Sequence, residues 1–145
     1  MIVVDRSALV AHSAQKMYAL VADVESYPQF LPWCARAIVS VNEASRTVAT
    51  LHINFRGLKK EFTTENLNQP GVRIDMRLVS GPFRSLGGSW VFTALSENAC
   101  KVELSLRYQF KGTLLEKIAG PAFHDITDSF VDAFVRRADE KFGSA

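Results

Sequence analysis

Two regular patterns meet near Lys111, and together they restrict the fold more than any other feature of the chain. From Cys100 to Lys111 the residues alternate strictly. Cys100, Val102, Leu104, Leu106, Tyr108 and Phe110 share one face; Lys101, Glu103, Ser105, Arg107, Gln109 and Lys111 share the other. Alternation of this length predicts a long antiparallel strand with one solvated face. From Leu114 onward the period becomes helical, with Leu115, Ile118, Ala122, Ile126, Phe130 and Phe134 on a stripe widened by Phe123, Val131, Val135, Ala138 and Phe142. The helix is expected to run to about Phe142, with Gly143 as its terminator. Gly120-Pro121 is expected to kink it or divide off its first turns.

The preceding residues supply the rest of a sheet. Ile2 to Val10 alternates as a strand, and Ser13 caps a short helix from Gln15 to Ala22. Asp23 to Leu31 reads as a second short helical piece, stopped at Pro32. Strand-like runs follow at Trp33 to Val41, Thr47 to Phe55, Leu58 to Leu67, Val72 to Val79 and Arg84 to Leu95, ahead of the strand at Cys100. Asn42-Glu43-Ala44-Ser45, Arg56-Gly57, Asn68-Gln69-Pro70-Gly71, Ser80-Gly81-Pro82 and Ser96-Glu97-Asn98 separate them as turns. Gly87-Gly88 reads as a bulge or a close backbone approach inside a bent strand. The order predicts an α+β domain spanning residues 1–145, a seven-stranded curved antiparallel sheet around one long C-terminal helix. Short turns make a meander the economical topology.

One segment does not behave like a loop. Tyr27-Pro28-Gln29-Phe30-Leu31-Pro32-Trp33-Cys34 is too apolar for a solvated connection, and its prolines exclude a long helix or a central strand. Such an element either plugs a core or covers a cavity. A single helix across a curved sheet need not fill the concave side, so the space between them is a candidate ligand cavity. Tyr27, Phe30, Leu31 and Trp33 are its expected lid. Phe55, Phe62, Met76, Phe83, Trp90, Phe92, Tyr108 and Phe110, with Phe123, Ile126 and Phe130 from the helix, are the expected inward residues. A lining of this kind suits a lipid, an isoprenoid or a polycyclic aromatic better than a sugar or nucleotide. His52 or Tyr108 is a candidate for orienting a polar head group.

Composition is consistent with a packed domain: 48% of the 145 residues are hydrophobic. No apolar run approaches the ~20 residues of a transmembrane helix, and the N-terminus lacks the layout of a secretion signal, so a cytoplasmic protein is expected. Cys34 and Cys100 are expected to be reduced and buried. With His12, His52 and His124 they show no metal-ligand spacing. Nucleophile elbows, phosphate loops and dinucleotide fingerprints are absent, and no catalytic residue is assigned. His124 and Asp128, four apart on the helix, are the nearest approach to an acid/base pair. The net charge of +2 is small, but Arg36 to Lys111 carries eleven basic against six acidic residues. Arg56, Lys59, Lys60, Arg73 and Arg77 therefore form a candidate surface for RNA phosphates; DNA is not an expected partner.

The strings Ser7-Ala8-Leu9-Val10, Val24 to Cys34, Gly81-Pro82-Phe83-Arg84, Trp90-Val91-Phe92 and Ala133 to Ala138 resemble the coenzyme-Q-binding START-domain family over essentially the whole chain. That family has the helix-grip fold of START-type lipid-transfer domains and plant pathogenesis-related proteins. Two roles are implied by the resemblance. One is binding of ubiquinone or a related polyisoprenoid in the cavity, in support of respiration. The other, in the bacterial RatA-type ribosome-association toxin branch, is binding to the large ribosomal subunit and blocking subunit joining. Polyketide aromatases and cyclases share the fold but need acid/base groups inside the cavity. The expectation is a non-enzymatic binder of a hydrophobic ligand, with ribosome binding as the alternative and no cofactor beyond a possible bound quinone or lipid.

Overall fold

The computed structural model describes residues 1–143. Strand β1 (Ile2–Val10) leads into helix α1 (Ala14–Ala22) and a 3₁₀ segment (Val24–Gln29). Strands β2 (Cys34–Asn42), β3 (Arg46–Phe55), β4 (Leu58–Gln69), β5 (Arg73–Ser80), β6 (Phe83–Ser96) and β7 (Ala99–Phe110) follow, and helix α2 (Thr113–Phe142) closes the described chain. Ser13 caps α1 by accepting a hydrogen bond from the Lys16 backbone N–H, 3.1 Å. Gly143 ends α2 with φ +87°, donating its N–H to the Asp139 carbonyl.

The seven strands form one antiparallel sheet in the order β1-β7-β6-β5-β4-β3-β2. Strands β2 to β7 are the meander that their short turns predict. β1 departs from it: it lies beside β7, with Ile2 opposite Tyr108 and Val10 opposite Cys100. The reason lies in the connection. α1 and the 3₁₀ segment carry the chain from one edge of the sheet to the other, which a hairpin cannot do.

Four local features sharpen or change what the sequence suggests. The short helical piece expected within Asp23–Leu31 is a six-residue 3₁₀ helix, Val24–Gln29, with Pro28 inside it, followed by a bond from the Leu31 N–H to the Tyr27 carbonyl. Two prolines four residues apart leave too few donors for a longer helix. Helix α2 runs unbroken through Gly120-Pro121, with Ala119 and Ala122 buried on its sheet side. Ile118 does not belong to the buried stripe; it is 64% exposed, because Ala119 takes the inward position in that turn. Gly87-Gly88 carries no bulge; the irregularities of β6 against β7 lie near Arg84 and Leu95. Gly88 is instead the close approach: a Cβ there would collide with the Ser105 carbonyl oxygen and lie 2.9 Å from Leu106 Cα.

The sheet curls around α2, and two aromatic groups pack along the helix. Phe123 sits 4.8 Å from Tyr108 and 5.1 Å from Phe83, ring centre to ring centre. Further along, Phe130 and Phe134 meet Trp90 at 5.7 and 5.3 Å. Polar ties hold α2 from outside: Arg6 to Asp128, Arg56 to Asp125, His12 to Asp139 and Arg137 to Gln29. No helix of the described residues is long and apolar enough to cross a membrane.

Candidate functional site

Between the concave face of the sheet and α2 lies a cavity. It has room for the centres of water-sized molecules over ≈ 70 Å³. One water needs about 10–15 Å³ on that measure, so the space takes several waters or a compact ring. Most of the volume that a curved sheet encloses is therefore already filled with side chains.

Strand parity decides what lines the cavity. Ala49 and Leu51 come from β3, Phe62, Thr64 and Asn66 from β4, Met76 from β5, Leu86 and Trp90 from β6, and Leu104 and Leu106 from β7. Phe123, Ile126, Thr127 and Phe130 face them from α2, and Val24, Tyr27 and Trp33 close one end. Of the expected ligand residues, Tyr27, Trp33, Met76, Trp90, Phe123, Ile126 and Phe130 thus come together around one space.

The others do not. Leu31 is 1% exposed and packed in the core, away from the cavity. Phe30 lies outside, its ring 5.1 Å from Phe134 and under the Arg137 guanidinium. Phe55 sits at the end of β3, covered by Arg56. Phe83 and Tyr108 are buried behind Phe123 and leave no surface in the cavity. The proline-rich segment is accordingly half plug and half wall. Tyr27 and Trp33 face the cavity, while Leu31 fills the core.

Polar groups in the wall are few. Tyr27 is the only titratable lining side chain; its hydroxyl donates to the Val21 carbonyl, and burial raises its pKa strongly. Thr127 donates to the His124 carbonyl, 3.1 Å. The buried Tyr108 hydroxyl approaches Thr127 without the geometry of a hydrogen bond, and burial raises its pKa in turn. Thr64 and Asn66 went unnoticed in the sequence because Thr63-Thr64-Glu65-Asn66 is polar on both faces. The signal was there: a central strand with no apolar face beyond Phe62 must turn polar side chains inward.

His52 is on the other side of the sheet. Ile53 and Leu51 point inward, so His52 points outward and meets Glu61 at 3.2 Å. It cannot orient a ligand in the cavity. His124 is exposed, and Asp128 is held by Arg6 at 2.5 Å, which also lowers its pKa. The pair forms no acid/base group. Cys34 and Cys100 are buried and unpaired; burial pushes the Cys34 thiol up to about 11. No group of three or more potential metal ligands occurs among the described residues.

The five expected RNA-binding cations separate into two kinds. Arg77 and Arg46 both bond Glu65, Arg73 bonds Asp75, and Arg56 bonds Asp125. Hydrogen bonds from Arg46 and Arg77, helped by their charges, hold the Glu65 carboxyl below its usual range despite the opposing effect of its desolvation. Lys59 and Lys60 take part in no ion pair among the described residues, nor does Arg36, whose neighbour across the strand pair is His52. The uncompensated charge therefore gathers at the β2–β3–β4 end of the sheet.

Residues 10–135 match the family model described as polyketide cyclase / dehydrase and lipid transport. Proteins named ribosome association toxin RatA from Vibrio cholerae and Pseudomonas aeruginosa are 46% and 41% identical to this chain, each over 97% of both chains. The coenzyme Q-binding protein COQ10 homolog B of Xenopus laevis is 28% identical over 94% of this chain and 58% of its own. Among solved structures, the Zhui aromatase/cyclase from a Streptomyces species superposes with a TM-score of 0.86 at 15% identity, covering 99% of each chain, which shows the shared fold. An 18 kDa Caulobacter crescentus protein, CC1736, superposes at 0.76 with 26% identity, covering 99% of this chain and 100% of its own. A helix-grip sheet closed over a narrow apolar cavity, with relatives of this identity along its whole length, places the chain in the polyketide cyclase / dehydrase and lipid transport family, in the branch that contains the RatA proteins.

Proposed function

We propose that this protein acts by associating with ribosomes rather than by catalysis. The observation that carries the reading is full-length identity of 41–46% to proteins named for ribosome association. The surface supports it: Lys59 and Arg36 on the outer face, and Lys60 beside them on the other side of β4, are unneutralised cations at one end of the sheet, suited to rRNA phosphates. Arg56, Arg73 and Arg77 are already paired and would add less. The large subunit is the expected partner. The test is co-sedimentation with ribosomes at 50 and 200 mM salt. About three phosphate contacts predict a loss of affinity of about 40-fold between those conditions. Lys59→Glu with Lys60→Glu is expected to abolish most of the binding. Co-sedimentation unchanged by both salt and charge reversal would refute this surface.

The cavity favours a second, compatible reading: binding of a small apolar molecule between sheet and α2, ubiquinone or a related isoprenoid being the class that the more distant relative's name points to. As it stands the space admits a ring, and a long prenyl chain requires lining side chains to move. Cyclase chemistry is less well supported. Acid/base catalysis needs an ionisable group at the substrate, and the only lining candidate, Tyr27, has its hydroxyl committed to a backbone carbonyl.

A further inference from the structure

We propose that the cavity recognises a neutral molecule through a single hydrogen-bond-accepting oxygen, a carbonyl above all, held by the carboxamide of Asn66. The proposal rests on the second reading, that the cavity binds a small apolar molecule.

The concave face of β4 changes character along its length. Phe62 is apolar, but the next inward positions are Thr64, Asn66 and Asn68. Asn68 is satisfied outside the cavity by donating to the Thr47 hydroxyl, 3.0 Å. Thr64 donates to Asn66 Oδ1, 3.1 Å. That bond spends the only hydrogen of Thr64 and fixes the orientation of the carboxamide. It leaves Asn66 Nδ2 with two hydrogens that no protein acceptor among the described residues takes. Asn66 is only 9% exposed and lines the cavity, so those hydrogens are reachable from that space. Asn66 Nδ2 is thus not sealed in the core but accessible on the cavity lining, and an amide donor facing an apolar space is costly unless a ligand or water supplies its partner.

The rest of the wall defines what else the ligand must be. No lining side chain carries a charge at neutral pH, so a carboxylate or phosphate would enter without a counter-charge, and its desolvation would go unrecovered. Thr127, opposite on α2, gives its hydrogen to the His124 carbonyl and offers only lone pairs. The free volume suits one substituted ring. Trp33, Trp90 and Phe130 supply flat apolar walls for it.

The test uses the full chain and three probes of one size: acetophenone, ethylbenzene and benzoate. They differ in having a neutral carbonyl, no polar group, or a charge. Trp33 and Trp90 are the only tryptophans of the sequence and both line the cavity, so their indole N–H signals in an NMR titration report occupancy directly. Acetophenone is expected to bind and benzoate not to. In Asn66→Leu the affinity for acetophenone relative to ethylbenzene is expected to fall about tenfold. Thr64→Val, which frees the carboxamide to turn, is expected to lower it by a smaller factor, and serves if the leucine variant does not fold. An unchanged ratio in the folded variants, or benzoate binding as well as acetophenone, overturns the proposal. If both neutral probes bind with the ratio unchanged, only the role of Asn66 fails. If neither binds, the cavity reading fails with it.

Discussion

Replacing Trp33 by alanine separates the two possible roles of the proline-rich segment. Trp33 is 4% exposed, lines the cavity and lies 5.5 Å from the ring of Phe130. If it is a packed wall, truncation removes a buried indole and leaves a void. Such changes cost about 3–5 kcal/mol, and roughly 100 Å³ of residual void would account for about 2.4 kcal/mol of it. With an unfolding entropy of about 0.3 kcal/mol/K for a chain of this length, Tm should fall about 10–15 °C. The enlarged cavity should then accept benzene, as dry engineered cavities do. At ten times its Kd, benzene would restore about 1.4 kcal/mol, or roughly 5 °C. The assay is thermal unfolding by circular dichroism with and without benzene. A fall of less than about 3 °C would show that Trp33 is a swinging cover with little packing of its own, and the wall assignment would be wrong. Trp33→Phe keeps most of the volume and should lose less than half as much.

Two further substitutions test the sheet. Gly88→Ala places a methyl group against the Ser105 carbonyl and Leu106 Cα, backbone atoms that cannot step aside; it should cost about 3 kcal/mol or more in urea denaturation, and a loss below 1 kcal/mol would mean that the strand crossing is looser than described. Glu65→Gln tests the Arg46–Glu65–Arg77 group. The Glu65 pKa is lowered in the fold, so its carboxylate contributes stability above the unfolded-state value of about 4.3. That contribution fades as pH falls through the lower folded value. The parent should therefore exceed the variant in urea midpoint at pH 7 and converge on it near pH 3; a constant gap would mean that the carboxylate's charge is not what matters.

Much of the fold was legible because it rests on periodicity. Cys100 to Lys111 and the stripe from Leu115 to Phe134 announce themselves by period two and period 3.6, and both elements occur where expected. The candidate site was legible in part. Met76, Trp90, Phe123, Ile126 and Phe130 lie on inward faces of well-patterned elements and reach the cavity together. Phe83 and Tyr108 share that inward parity yet stop behind Phe123, since parity sets the side of the sheet and not the depth along it. Thr64 and Asn66 were hidden for the opposite reason: β4 has no clean alternation, so no face could be chosen without its neighbours.

By itself the sequence determined the number and order of elements, the apolar character of the concave side and the family. Each of these depends on local pattern or on residue identity over the whole length. Only the tertiary structure decided three other matters. It set β1 beside β7, a pairing between residues about a hundred apart that no local signal encodes. It cancelled Arg56, Arg73 and Arg77 against acids and left Lys59 and Lys60 free of ion pairs. It also narrowed the cavity to a ring-sized space with one unclaimed amide. Charge neutralisation and free volume arise where several chain segments converge, so they exist only once the chain has folded.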